Sequence, residues 1–442
     1  MLRRFAEDLK CEFKGYNGAS LTKDLLAGIT VAAVALPLAL AFGVSSGANA
    51  AAGLITAIIA GLVMSFFAGG YYQISGPTGA MAAILMSLVA SYGMTGVFVA
   101  TFCAGVILLI SGILHLGKLT SFIPAPVITG FTSGIAVIIA LGQIDNMFGT
   151  HSEGTTAVLK LFSYFKHGFS PDWTTVAIGV FVILFMIIFP KKWNAVIPAS
   201  LLSIIITTAG SIILGLDVAT VGAIPKTLIP EQHLLLASLD FKTIAALITP
   251  AFSIAILGMI ESLLCGASAG RMTGKRLDAN QELIAQGIGN IILPFFGGIP
   301  ATAAIARTSV AIKSGARTRL TGIFHAAGLL VSMFALAPVM SQIPLPALAG
   351  VLMVTAWRMN EWDSIRYMFS HKFKGAMLEF VATMVATIIF DLTVAIMVGV
   401  LIGLVFLVSR LSLIEINVEP VDFTRMNDGN KNLVDRYSNA CV

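Results

Sequence analysis

Two short apolar stretches of this 442-residue chain carry a glycine–proline break at the front: SGPTGAMAAIL from Ser75 and GGIPATAAIA from Gly297. Their prolines, Pro77 and Pro300, lie 223 residues apart, half the length of the molecule. Broken hydrophobic segments in matching positions of two halves are the sequence mark of inverted repeats, whose discontinuous helices meet at a site near the bilayer midplane. Any architecture for the chain must bring these two breaks together, and the first reading is a carrier.

Composition agrees. Hydrophobic residues make up 57% of the chain and charged ones only 11%, against roughly 25% charged in an ordinary soluble domain. Spans need about 20 apolar residues each, and the apolar blocks are separated by short polar joints without a linker or low-complexity tract. The reading is an all-α membrane protein with one transmembrane domain. The four cysteines, Cys11, Cys103, Cys265 and Cys441, show neither pairing nor metal spacing, and no metal or cofactor is expected. The amino terminus is polar and of mixed charge, with the first apolar run starting near Leu25, too late for a cleavable signal peptide.

Spans are expected at about 24–45, 51–68, 77–92, 96–116, 122–143, 174–190 and 195–215, then 243–268, 280–296, 300–312, 320–339, 344–357, 374–390 and 392–411. This is a 7+7 arrangement of 14 transmembrane segments, with repeat 1 over about 24–215 and repeat 2 over about 243–412. The third and tenth segments are too short for full crossings and read as half-helices. Residues 1–23 form a cytoplasmic amino-terminal segment, 24–412 the transporter domain and 413–442 a short cytoplasmic tail.

Lysine and arginine are retained on the cytoplasmic side of short loops. With the amino terminus inside, 22 of the 27 basic residues fall on cytoplasmic segments and four, Lys160, Lys166, Lys226 and Lys242, on outer loops; Arg307 lies within a span. The division places both termini in the cytoplasm, with the chain in the cell membrane. It also explains the net charge of +5 by topology, so no nucleic acid partner is expected. Between the twelfth and thirteenth spans, AWRMNEWDSIRYMFSHKFK sets Trp357, Trp362 and Tyr367 among charges, as an interfacial helix would.

A helix that starts inside the membrane presents N–H groups without intrahelical partners and the positive end of its dipole. Two such starts facing each other make an anion cradle. Gly76, Gly79, Gly297 and Gly298 permit close backbone approach, Pro77 and Pro300 suit a first helical turn, and Thr78 and Thr302 offer hydroxyls. The competing reading of each break, a packing kink, loses ground because the breaks are matched.

Glu261 stands in TPAFSIAILGMIESLLCGASAG with no other charge between Lys242 and Arg271. A charge at that depth costs about 2.5–3.5 kcal/mol on insertion scales and normally faces a cavity or a partner. Helical spacing sets Gly258, Glu261, Cys265 and Ser268 on one face. Glu261 is the candidate proton carrier; its structural alternative is an ion pair with Arg307. Arg307, seven residues after Pro300, either adds fixed positive charge to the anion site or snorkels to the cytoplasmic rim. Asp391 reads as a helix cap. His115 and His325, near span ends, form no ligand cluster, and the glycines of Gly287–Gly289 read as packing rather than a dinucleotide loop.

At these residues the chain resembles the SulP family of anion transporters. The resemblance rests on DLLAGITVAAVALPLALAFGV from Asp24, QISGPTGA from Gln73, and Glu261 through FFGGIPATAAIARTSVAIKSGARTRLTG, and spans nearly the whole membrane portion. It implies core and gate domains, elevator-like movement and commonly a homodimer. It also implies a small inorganic anion between the third and tenth segments, lined or flanked by Phe42, the backbone at Thr78, Gly79 and Ala80, that at Ala301, Thr302, Ala303 and Ala304, and Arg307. Glu261 and Cys265 occupy the coupling-ion positions. Cys265 stands where sodium-coupled relatives carry threonine, and sulfur is a poor ligand for a hard cation, so protons are preferred to sodium. Leu38 replaces a frequent glutamine and Ala306 a serine, shifting weight onto backbone N–H groups and leaving sulfate and bicarbonate both open. The family's cytoplasmic STAS domain needs roughly a hundred residues; LIEINVE reads as its first strand, and the tail as a truncated start.

The expectation is a secondary active transporter of inorganic anions, of the sulfate or bicarbonate class, symporting protons. The alternatives are a passive anion channel or sensor on the same scaffold and a nucleobase:cation symporter of the same fold. No Ser/His, His/Glu or paired-carboxylate constellation lies at a depth that would support an enzyme.

Overall fold

Apolar runs of this length, with alanine and leucine outnumbering β-branched residues in the early spans, have one way to satisfy every backbone polar group inside lipid, which is the helix. In a computed structural model the described residues are 2–118, 124–154, 157–190, 193, 197–235, 239–390, 394–395, 398–399 and 401–405. Residues 1–403 make one compact unit; of a second, 404–442, only Leu404 and Val405 are described. Asp391, much of the fourteenth span and the 413–442 tail lie outside the described residues.

The helices are α1 (Leu2–Glu12), α2 (Gly18–Ser45), α3 (Ala50–Phe67), α4 (Gly79–Ile113), α5 (Ala125–Gly142), α6 (Ile144–Phe148), α7 (Ala157–His167), α8 (Trp173–Ile188) and α9 (Ala199–Leu214). They continue as α10 (Phe241–Thr273), α11 (Ala279–Ile292), α12 (Ile305–Lys313), α13 (Leu320–Met340), α14 (Leu345–Met359), α15 (Trp362–Ser370) and α16 (Lys374–Ile389). Among the described residues six stretches, α2, α3, α4, α5 with α6, α10 and α13, are long and apolar enough to cross a membrane, and α8, α9 and α14 are shorter apolar helices. Large apolar side chains such as Ile187, Ile213 and Val331 stand outward at 65%, 81% and 65% exposure. Such a surface suits lipid and would be an aggregation liability in water.

Packing sorts the helices into two sets. One gathers α2, α3, α4, α10, α11, α12 and α13; the other gathers α5, α6, α8, α9, α14 and α16. The α2–α14, α2–α9 and α4–α5 contacts join them. Residues 217–234, between α9 and α10, form a strap that is hydrogen-bonded near each end. At one end Val221 and Gly222 donate to the carbonyls of Ile343 and Ser341, and Leu345 donates to that of Ala219. At the other, Leu234 donates to the Pro294 carbonyl at 2.8 Å.

Several expectations are corrected here. The fold is not purely helical: Ser75–Gly76 (β1) and Thr302–Ala303 (β2) form an antiparallel ribbon, with Ser75 opposite Ala303 and Gly76 opposite Thr302. The third and fourth segments, by contrast, are separated as expected: the α4 range holds two helices that meet at a kink at Gly93, where φ 66° and ψ −172° break the helical path; only glycine adopts that backbone without strain. The tenth segment begins at Ile305 rather than Pro300, because residues 299–303 are held extended. Pro77 likewise precedes the helix, whose N-cap is Thr78.

The amino-terminal segment is itself helical. After α1, Asn17 caps α2 through the Ser20 N–H at 3.0 Å, so α2 starts six residues before the expected boundary at Asp24. Asp24 is fully buried and accepts from the Arg317 and Thr318 N–H groups and from the Thr318, Thr321 and Tyr16 hydroxyls. Beside it, Arg319 meets Glu12 at 2.7 Å and donates to the Phe66 carbonyl. Two buried acids thus fasten α1 and α2 to the turn before α13. His325, expected near a span end, is buried within α13, with neither ring nitrogen hydrogen-bonded among the described residues. The aromatic segment forms α15, and Trp357, Trp362 and Tyr367 are exposed.

Candidate functional site

The ribbon brings the two breaks together. Because β1 and β2 are antiparallel, the chain leaves β1 toward α4 and β2 toward α12 in opposite directions, so both helices start at the ribbon and diverge from it. The nine residues of α12 span about 14 Å at 1.5 Å per residue, well under a hydrocarbon core of ~30 Å.

Both helix tips carry open donors. Thr78 caps α4 by accepting from the Met81 N–H at 3.4 Å, whereas Ala304 offers α12 no side-chain cap. Among the described residues the N–H groups of Gly79 and Ala80, and those of Ile305 and Ala306, have no hydrogen-bond partner. Phe42 lies against the first tip, its Cε1 3.2 Å from where a Gly79 side chain would begin.

Arg307 points inward. It is 2% exposed, its Nη2 donates to the Pro77 carbonyl at 2.8 Å, and its Nη1 has no partner among the described residues. Gly76 makes room: a Cβ there would overlap Nη1, with Cζ at 3.2 Å. The snorkelling alternative is therefore excluded. Glu261 Oε2 accepts from the Thr78 hydroxyl at 2.9 Å. Glu261 and Arg307 thus reach adjacent residues of the same arm and do not pair with each other.

Other expected site residues are occupied elsewhere. Ala301, Thr302 and Ala303 are buried, and the Thr302 hydroxyl is 2.7 Å from that of Ser262, so it is turned away from the tips. The Cys265 thiol donates to Thr308 Oγ1 at 3.2 Å, not toward Glu261. Gly287 and Gly289 are packing glycines, set against Leu109 and Met64. Among the described residues no group of three or more His, Cys, Asp or Glu is placed to hold a metal.

Sequence reasoning missed the side chains that hold the arms. Thr56 on α3 accepts from the Ile299 N–H at 2.8 Å. Asn290 on α11 accepts from the Ala301 N–H at 2.9 Å and donates to its carbonyl at 3.0 Å. Ser262 on α10 accepts from the Ala303 N–H at 3.3 Å. On the other arm, Gln286 donates to Ser75 Oγ at 3.1 Å, Gln73 to the Ser262 carbonyl at 2.8 Å, and Ile74 N–H to Thr308 Oγ1 at 3.0 Å. The legible signal was Glu282, Gln286 and Asn290 at four-residue intervals inside an apolar block, one polar stripe on one helix face.

Opposed helix tips around a buried, partly unsatisfied guanidinium, in a bundle of apolar helices, define a multi-pass membrane transporter of anions. The sequence pattern of the sulfate permease family matches residues 21–386, and the chain belongs to that family, whose members are transporters and not enzymes. It is 39% identical over 415 residues to YvdB of Bacillus subtilis, named for sulfate transport, covering 90% of this chain and 76% of that one. It is 31% identical over 436 residues to the bicarbonate transporter BicA of a Picosynechococcus species, covering 96% and 75%. Among solved structures, the transmembrane domain of a cyanobacterial BicA superposes with a TM-score of 0.78 at 30% identity, covering 87% of this chain and 97% of that one. The anion transporter SLC26A9 shares the fold at 0.78 and 18% identity, covering 90% and 67%.

Proposed function

We propose that the chain is a secondary active transporter of a small inorganic anion, of the sulfate or hydrogencarbonate class, symported with a proton. The observation that carries this reading is Arg307: a buried guanidinium with one donor on the Pro77 carbonyl and another unpartnered, beside the open N–H groups of Gly79, Ala80, Ile305 and Ala306. An anion between the tips would meet donors from both arms, with Phe42 as an apolar wall. These donors are fixed before the anion arrives, which spares the cost of ordering them on binding.

Glu261 supplies the coupling. Its carboxylate, bonded to the residue that caps α4, would repel an anion at that tip by about 3 kcal/mol for charges ~6 Å apart at an effective dielectric of 20. Protonation removes the repulsion, so anion and proton enter together. The Asn290 amide is committed to the Ala301 peptide and the Gln286 N–H groups to Ser75 and Glu282, so neither offers an amide donor to read a nucleobase edge.

Alternating access in this reading is elevator-like. The set holding α4 and α12 moves against the set holding α5 and α14, in a homodimer within the cell membrane, both termini cytoplasmic and the third and tenth segments acting as half-helices of a 7+7 inverted repeat. Counterflow in proteoliposomes with labelled sulfate, hydrogencarbonate, fumarate and uracil, with and without a pH gradient, tests the reading. Uptake of an inorganic anion that rises with an inward proton gradient is expected. Downhill flux without counterflow, or uptake of uracil alone, would refute it.

A further inference from the structure

The amides on α11 stand outside the anion site, yet they hold both arms that build it. Asn290 grips the Ala301 peptide by its N–H and its carbonyl, as a neighbouring strand would. Gln286, four residues earlier, donates to Ser75 Oγ. The two are also tied to each other, because the Asn290 amide donates to the Gln286 carbonyl at 2.9 Å. Both are fully buried. Glu282, one turn further back, fixes the Gln286 amide by accepting from it at 2.8 Å, and is itself held by the Gly69 N–H at 3.0 Å.

Ser75 stands two residues before Pro77, on the arm that leads into α4; Ala301 stands four residues before Ile305, on the arm that leads into α12. One turn of one helix therefore touches both arms. Four residues of α-helix rise about 6 Å and do not stretch appreciably, so α11 fixes the offset between its two grips, and the arms, which the short ribbon and the bond from the Ala304 N–H to the Ile74 carbonyl join to each other, are held against α11 at that offset. We infer that Gln286 and Asn290 are the positioning residues that gauge the distance between the two anion-holding tips, and so determine the size of anion the transporter prefers. The inference rests on the anion-transport reading above and adds to it the element that fixes selectivity by size. A binding constellation works only when a supporting shell holds it to within about half an ångström, and these amides are that shell.

The test uses the full chain in proteoliposomes, with uptake of labelled sulfate or hydrogencarbonate, whichever the wild type carries, and competition by chloride, nitrate, hydrogencarbonate and sulfate. Asn290→Ala removes both grips on Ala301 and is expected to raise KM about tenfold or more. It should shift the ratio of inhibition constants for chloride and sulfate at least fivefold, while maximal rate per folded protein stays within about twofold. Asn290→Gln keeps the amide one methylene further out. It should recover affinity for part of the series and reorder the competing anions, a result that simple loss of stability does not produce. Should the Asn290 variants fail to fold, Gln286→Ala loosens the other arm and carries the same readout. A competition order unchanged within twofold, in a variant that folds and transports, overturns the gauge and leaves the transport reading standing. A wild type that carries neither anion refutes the transport reading, and the gauge with it.

Discussion

Replacing Arg307 by methionine separates a binding role from a structural one, because the two roles give stability changes of opposite sign. The guanidinium is 2% exposed and has one carbonyl as its hydrogen-bond partner among the described residues. Burying an ion costs several kcal/mol unless its partners compensate, and apolar replacements of buried ionic groups are often neutral or stabilising by about 1–4 kcal/mol. Arg307→Met is thus expected to leave the empty transporter as stable as the wild type or more so. Anion affinity should move the other way: a hydrogen bond to a charged group contributes about 1.5–3 kcal/mol, so its loss weakens binding about 10- to 150-fold. A ligand at 100 times its Kd stabilises the wild type by about 2.7 kcal/mol; with Kd raised a hundredfold, the same concentration gives about 0.4 kcal/mol. Thermal unfolding of the purified chain, titrated with sulfate and with hydrogencarbonate, reads both quantities. A variant that melts earlier without anion and keeps the full anion-dependent shift would show that Arg307 braces the fold and does not bind.

Glu261→Gln removes the titrating group, so uptake should lose its dependence on an inward proton gradient while counterflow at equal pH persists; gradient-driven accumulation in the variant would refute the coupling. Gly76→Ala sets a methyl group against the Arg307 guanidinium at a φ of 159° that side chains rarely adopt and should raise KM about tenfold together with earlier melting; an unchanged KM would mean that Arg307 is dispensable. Gly93→Ala forces a left-handed φ of 66° on a residue with a Cβ, although nothing lies within 4 Å of the added methyl. The expected cost, about 1–3 kcal/mol for a backbone region essentially reserved to glycine, is read in thermal unfolding. Asp24→Asn turns one of the two acceptor oxygens into an NH2 that faces at least two of the five donors and should cost at least ~1–3 kcal/mol, read as earlier melting. In the same variant the Tyr16 phenol, pushed up to about 12 by burial first and by the Asp24 carboxylate second, should titrate nearer its ordinary value.

The sequence announced the long helices because apolar length is a local property, and α3, α13, α14 and α16 match the expected spans within a few residues. The paired breaks were also legible, since Gly and Pro mark them wherever the chain folds. What periodicity could not convey was the ribbon, two residues against two, whose partners are more than two hundred positions apart. Without it, Pro300 looked like a helix start. The side chains of Thr56, Asn290 and Ser262 hold that stretch extended by binding the peptides at Ile299, Ala301 and Ala303, and local propensity yields to such contacts. Likewise α1 reads as a polar lead-in until Arg319, some three hundred positions further on, is seen to hold Glu12 at its end.

The strap would cap the travel that the proposed elevator movement requires. Its anchors are Ala219, bonded to Leu345 at the start of α14, and Leu234, bonded at the end of α11, and the fifteen peptide steps between them extend to at most about 54 Å. A stroke of one helical turn, ~5.4 Å, would draw on that length without releasing either end. Shortening the strap residue by residue would then reveal the stroke as the length at which transport stops while binding continues.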